Sequence, residues 1–284
     1  MRVRKFILEN EKGCQFRLDN LDEGCFFSSP SNLGYSKKIE FSKIGQTYVE
    51  VSEEEEQKNP SGNLFFKNYD KYKEFIDFIE FANKLKFIYK IPYEVGEKTY
   101  YKDTILKKID KAEKSGKWLS CAVEFGGISL WYEENTIEYT INASENEMRW
   151  DFIWDTMFND NNSQSIIYKN EGHVPAPILM EINGPVSNPV VEIYINDILY
   201  QRVEIKTTIA EYESLIYNSK EAEFTIKRIK TDGTAEELYD LDIIDFENDN
   251  VIRLPKNKTC EIRLRANSTI ENAKLTIFPQ YKSV

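Results

Sequence analysis

The feature that most constrains this chain is an apolar alternation of period two. It comes in short runs broken by turn residues, and a 3.6-residue period replaces it over one long stretch. Period two places alternate side chains on opposite faces of a strand, so such runs read as half-buried β-strands. Phe6-Ile7-Leu8 and Phe16-Arg17-Leu18 flank Asn10-Glu11-Lys12-Gly13, a hairpin signal. Ile39-Glu40-Phe41 and Tyr48-Val49-Glu50-Val51 alternate likewise and are joined across Ile44-Gly45. Leu64-Phe65-Phe66 follows the turn Asn59-Pro60-Ser61-Gly62, and Tyr100 to Ile109 pairs with Trp118 to Phe125 across Lys114-Ser115-Gly116-Lys117. From Asn68 to Leu85 the apolar residues fall instead at Tyr72, Phe75, Ile76, Ile79 and Ala82, one face of an amphipathic helix. Asn68 is its expected N-cap, with Asp70 and Glu74 near the positive end of the helix dipole. Phe78 and Phe81 widen the stripe, which suits a helix lying in a sheet groove. Strand character resumes at Leu85-Lys86-Phe87-Ile88-Tyr89. Residues 1–132 therefore read as a small α+β domain.

Residues 133–284 read as nearly all strand. Candidates are Thr136–Ile141, Ser165–Tyr168, Ile178–Ile182, Val190–Ile195, Ile198–Ile205, Phe224–Lys230, Val251–Leu254, Cys260–Ala266 and Ala273–Phe278. Turn signals such as Asn183-Gly184-Pro185, Asn196-Asp197 and Asp232-Gly233-Thr234 separate them about every ten residues, the rhythm of an antiparallel β-sandwich of jelly-roll type. Residues 145–158 read as a short helix. The charge also divides near residue 132: residues 1–132 carry 22 basic and 21 acidic side chains, residues 133–284 carry 15 and 27. The excess of −12 in the second part, against +1 in the first, marks two modules with different surroundings.

Composition removes several function classes. The net charge of −11 argues against general nucleic-acid binding, which rests on phosphate neutralisation. No apolar run approaches the ~20 residues of a membrane span, and the basic Arg2, Arg4 and Lys5 are not followed by the apolar run of a secretory signal. The four cysteines, Cys14, Cys25, Cys121 and Cys260, form no C-x-x-C pair and read as scattered buried thiols. The one histidine, His173, sits in a Gly/Pro-rich link, which leaves no multi-histidine zinc site and no nucleophilic triad outside that residue. No P-loop, dinucleotide-binding glycine pattern, H-E-x-x-H or kinase signature is present. No catalytic residue, metal ligand or cofactor is assigned. Glu53-Glu54-Glu55-Glu56 reads as a solvated loop rather than half of a glycosidase pair. Asp242, Asp245, Glu247 and Asp249 lack the Gly and terminal Glu of a calcium loop and read as surface. Trp150 and Trp154, four apart beside Phe152 and Phe158, are the candidate sugar-stacking pair, set against a helix pinned to the sandwich by its aromatics.

The order of short motifs resembles the distal tail proteins of long-tailed phages of Gram-positive hosts. It runs through Phe26-Phe27-Ser28-Ser29-Pro30-Ser31-Asn32-Leu33-Gly34-Tyr35, Gly62-Asn63-Leu64-Phe65-Phe66-Lys67-Asn68-Tyr69, Tyr100-Tyr101-Lys102, and Leu119 to Phe125 followed by Ser129-Leu130-Trp131-Tyr132. Leu130 stands where the family commonly has Pro. In the second part follow Asn170-Glu171-Gly172-His173-Val174-Pro175-Ala176-Pro177, Glu181-Ile182-Asn183-Gly184-Pro185, Tyr212-Glu213-Ser214 and Leu254-Pro255-Lys256-Asn257. The resemblance implies a non-enzymatic virion component, made in the bacterial host cytoplasm. Its first domain would build a hexameric ring at the end of the tail tube, and its second would be a galectin- or carbohydrate-module-like sandwich projecting outward. The implied partners are further copies of the chain, the tail tube protein, the tape-measure protein, the tail-tip hub with its tail-associated lysin, and receptor-binding proteins. The charge pattern suits that arrangement, because a near-neutral ring domain packs without strong self-repulsion while an acidic outer domain keeps neighbours apart. The two other classes are a carbohydrate-binding module using Trp150 and Trp154, and a hydrolase with a carboxylate pair.

Overall fold

The computed structural model describes residues 4–56, 58–80, 82–93, 96–139, 163–238, 251–267, 270 and 272–284. The protein is mainly β and divides into two compact units, Met1–Glu133 with Tyr281–Val284, and Glu134–Gln280. Tyr281–Val284 thus differ from the sequence reading, which placed them in the second domain. Tyr281 and Val284 pack against the apolar core of the first unit.

The first unit contains β1 (Lys5–Asn10), β2 (Gln15–Arg17), β3 (Asp19–Asn20), β4 (Cys25–Ser31), β5 (Lys37–Ile44), β6 (Thr47–Glu55), β7 (Ser61–Phe66), α1 (Tyr69–Glu80), β8 (Leu85–Pro92), β9 (Glu97–Ser115), β10 (Trp118–Gly127) and β11 (Trp131–Tyr132). Its main sheet runs β2-β1-β8-β9-β10-β7-β4-β3, antiparallel throughout, while β5 and β6 pair only with each other. The Oδ1 of Asn68 accepts the Lys71 N–H at 2.8 Å, the capping bond expected from the sequence. Helix α1 is shorter than its apolar period, ending at Glu80, because the chain must turn within Ala82–Lys84 to enter β8. Phe75 is fully buried, with ring centroids 5.2 Å from Phe16 and 5.3 Å from Phe66, and Phe78 lies 5.6 Å from Phe16. The wide stripe therefore faces the unit's own sheet; Phe81 lies outside the described residues.

The abundant aromatics find their use in this core. Phe87 on β8 is fully buried and meets Phe6, Phe27, Phe125 and Trp131 edge-on, at centroid distances of 5.9, 6.2, 5.3 and 6.0 Å. Edge-to-face contacts bring the positive ring edge to the negative face, and they join β1, β4, β8, β10 and β11 in one cluster.

One charge is enclosed in this unit. Lys102 on β9 is only 3% exposed. Its Nζ donates to the Ser129 carbonyl at 2.5 Å and lies 5.6 Å from the Trp131 ring centroid. Burial pushes the amine down to about 8, with Asp103 pulling weakly the other way. An unfolded lysine keeps its proton to about pH 10.4, so between about pH 8 and 10 the unfolded chain binds more protons and folding stability rises with pH. Below pH 8 both states are protonated and the burial cost is constant. Lys102→Met should remove this cost at pH 7 and also the rise. The check is the denaturant midpoint of both proteins at pH 7 and 9.5; parallel pH profiles would contradict the assignment.

The second unit contains β12 (Asn135–Tyr139), β13 (Ser163–Lys169), β14 (Ala176–Asn183), β15 (Val186–Ser187), β16 (Val190–Ile195), β17 (Ile198–Glu204), β18 (Thr208–Ile209), β19 (Ser214–Asn218), β20 (Thr225–Ile229), β21 (Ala235–Glu237), β22 (Arg253–Leu254), β23 (Thr259–Arg265) and β24 (Asn272–Ile277). One sheet runs β12-β24-β14-β19-β20-β21, with β22 on β14; the other runs β13-β23-β16-β17. All their pairings are antiparallel. Inward residues of both sheets, among them Ile178, Met180, Leu215, Tyr217, Ile193, Ile262 and Leu264, form one core, which makes the unit a β-sandwich. Strand β19 is absent from the sequence expectation, although Leu215 and Tyr217 alternate there and are fully buried. Its five residues give too short a run to stand out beside polar Ser214 and Asn218.

The Asn-x-Gly motif of the second unit is structural. Asn170 is fully buried. Its Nδ2 donates to the carbonyls of Val174 at 3.0 Å and Leu254 at 2.9 Å, and its Oδ1 accepts the Gly172 N–H at 2.9 Å. A side chain on Gly172 would place its Cβ 2.8 Å from the Gln280 backbone, so only glycine fits. His173, beside it, is exposed and donates its backbone N–H to the Gln280 carbonyl.

Candidate assembly surface

Among the described residues the β5–β6 hairpin has no third strand and shows both faces and both edges to solvent. Its alternation is legible in the sequence, but no core receives either face. Ile39, Phe41 and Tyr48 fall on one face and Ile44 and Val49 on the other, while Val51 is the extra residue of the β6 bulge opposite Glu40/Phe41. Phe41, Ile44, Tyr48 and Val51 are each at least 60% exposed. A two-stranded ribbon is marginal in water by itself, and an apolar ribbon with free edges is a template for pairing with another chain.

The hairpin's charges divide by strand. β5 carries Lys37, Lys38 and Lys43 against Glu40, while β6 carries Glu50, Glu53, Glu54 and Glu55. Lys37 pairs with Glu53, whose carboxyl this contact holds below its usual range. The run Glu53–Glu55 is accordingly part of an exposed strand rather than the expected loop.

At the foot of the hairpin, Glu54, Glu55, Glu56, Glu124, Lys38, Lys58, Asn32 and Asn59 line an open depression of about 480 Å³. Glu124 accepts from Lys107 at 2.7 Å and Asn59 at 3.0 Å, and Glu56 is held by Ser36 and Lys58. These partners lower the pKa of both carboxyls. A glycosidase-type general acid needs the opposite shift.

The other sequence candidates are placed as follows. Cys25, Cys121 and Cys260 are buried, and burial raises all three thiols, Cys25 to about 12. Cys14 is exposed, unlike the expected buried thiol, because it lies at the solvent end of the β1–β2 turn. Among the described residues there is no group of three or more His, Cys, Asp or Glu side chains able to hold a metal, and no helix long and apolar enough to cross a membrane. Trp150 and Trp154, the helix expected over 145–158, and Asp242, Asp245, Glu247 and Asp249 lie outside the described residues.

Residues 5–128, nearly all of the first unit, match the family model of the distal tail protein, N-terminal domain. This segment is similar to that domain. The matched segment contains the main sheet, α1 and the exposed hairpin. No curated protein matches the chain. Over its full length the chain is similar in fold to a chain of the phage P2 baseplate in its activated conformation with Ca, with a TM-score of 0.66, 16% identity and 100% of both chains covered. The corresponding chain of the phage p2 baseplate with Sr gives 0.66 at 17% identity, again over 100% of both chains. SPP1 Dit, described as a paradigm of the hub adsorption apparatus in phages infecting Gram-positive bacteria, gives 0.57 at 9% identity over 98% of both chains.

Proposed function

We propose that this protein is a non-enzymatic structural component of a phage tail tip. Copies join through the distal tail domain into a hexameric ring at the end of the tail tube. The ring connects the tube to the tail-tip hub, the baseplate and receptor-binding proteins. The family match of the first unit and the fold likeness to baseplate and hub chains support the setting. The observation that carries assembly is the uncovered apolar hairpin β5–β6.

A closed ring needs a heterologous interface in which each copy gives one surface and receives another. A projecting ribbon meets this requirement: it leaves its own unit and is covered by the next. Its basic and acidic strands favour one orientation of approach, since like-charged edges repel. Burying its apolar side chains between copies would supply the driving force that the ribbon lacks alone, at about 25 cal/mol per Å² of apolar surface.

Native mass spectrometry and electron microscopy of the purified protein test this. The wild type is expected as a ring of about six copies. The Phe41→Asp/Val51→Asp double variant is expected as a single chain with an unchanged thermal midpoint, because neither side chain touches the core. A wild type that stays a single chain at high concentration, or a variant that assembles equally well, would overturn the proposal.

A further inference from the structure

The residues that follow the second unit end on the foot of the hairpin. Tyr281 packs edge-on against Tyr100, with centroids 5.5 Å apart, and with Val284 joins the apolar core of the first unit. Between them, Lys282 pairs with Glu55, the last residue of β6, and its Nζ lies 5.6 Å from the ring centroid of Tyr35, two residues before β5. Lys37 approaches the same ring at 5.9 Å while pairing with Glu53. Ser283 comes within 3.9 Å of the position a Cβ would take on Gly34. One short segment therefore touches both feet of the arm.

We infer that Tyr281–Val284 is a strap that fixes the root of the β5–β6 arm to the first unit. Two-stranded ribbons bend and twist readily, so the direction in which one projects is set where it leaves the core. Here two partly buried apolar anchors hold the segment down, and the lysine between them bridges the chain entering β5 and the end of β6. Gln280 is the last residue of the second unit, so the strap continues from that unit through one peptide bond. The inference concerns the arm within one chain and does not require that copies form a ring.

Hydrogen–deuterium exchange of the full protein tests it, read over residues 37–55, with β1 and β8 as internal controls and sedimentation of the same samples reporting mass. Lys282→Glu should speed exchange in the arm about fivefold, the scale of losing an exposed ion pair. Truncation after Gln280 should speed it about tenfold or more, since the apolar anchors go as well. Glu55→Lys added to Lys282→Glu should restore slow exchange. In each case the controls and the mass should not change. Unchanged arm exchange in both variants would overturn the strap. Equal acceleration in β1 and β8 would also overturn it, by showing a general staple of the unit. A change that appears only with a loss of mass would assign the protection to another copy and would likewise overturn it.

Discussion

Asn170→Asp should destabilise the second unit by about 3–5 kcal/mol, the scale for a buried charge left without a counter-ion and two carbonyls left without a donor. The side chain is fully enclosed and uses its amide to bind the Val174 and Leu254 carbonyls. An ionised carboxylate would meet both carbonyls with lone pairs only. Asn170→Ala should cost less, about 2–3 kcal/mol, because it leaves orphaned groups but no charge. The measurement is denaturant unfolding at pH 7 for both variants. Repeating it at pH 4 should recover part of the Asp loss, since a protonated carboxyl again has a donor. A change below ~1 kcal/mol in both would show that the motif is not a clamp.

Phe87→Ala should lower the stability of the first unit by about 3–5 kcal/mol, the usual scale for truncating a buried phenylalanine. The ring is at the centre of four edge-to-face contacts, so removal leaves a cavity bounded by Phe6, Phe27, Phe125 and Trp131. Phe87→Leu should cost clearly less because most of the volume is kept. Thermal unfolding of the two variants, followed by tryptophan fluorescence, separates them. Equal losses would mean that the edge-to-face contacts, rather than the space the ring fills, carry the stability.

Much of the fold was legible from local chemistry. The step from period two to period 3.6 located α1 between strands, and Asn68 announced its start because its short carboxamide reaches the free N–H of Lys71. In the second unit the turn residues located most strands to within two residues. Val190–Ile195 has the same bounds in sequence and structure. Strand β4, with its Pro30, and strand β19 were not legible as strands. A proline weakens the strand pattern of the first, and the second is a short run whose two buried residues, Leu215 and Tyr217, acquire meaning only between β14 and β20. The sugar-stacking candidates Trp150 and Trp154 fall outside the described residues, so their role stays with the sequence reading.

The candidate surface shows the limit of such reading most clearly. Alternation in Ile39–Phe41 and Tyr48–Val51 indicates a paired ribbon whether a core covers it or water does, because period two reports backbone conformation and side-chain parity alone. Exposure depends on what the rest of the chain brings alongside, and here none of the described residues of its own unit covers either face. Likewise, four residues at the end of the sequence carry no local signal of where they dock. Local order along the chain was enough to establish strand, helix, turn and the division of charge. Which apolar residues remain uncovered, and which distant segments meet, was settled only by long-range packing, where total burial across the molecule outweighs any local preference.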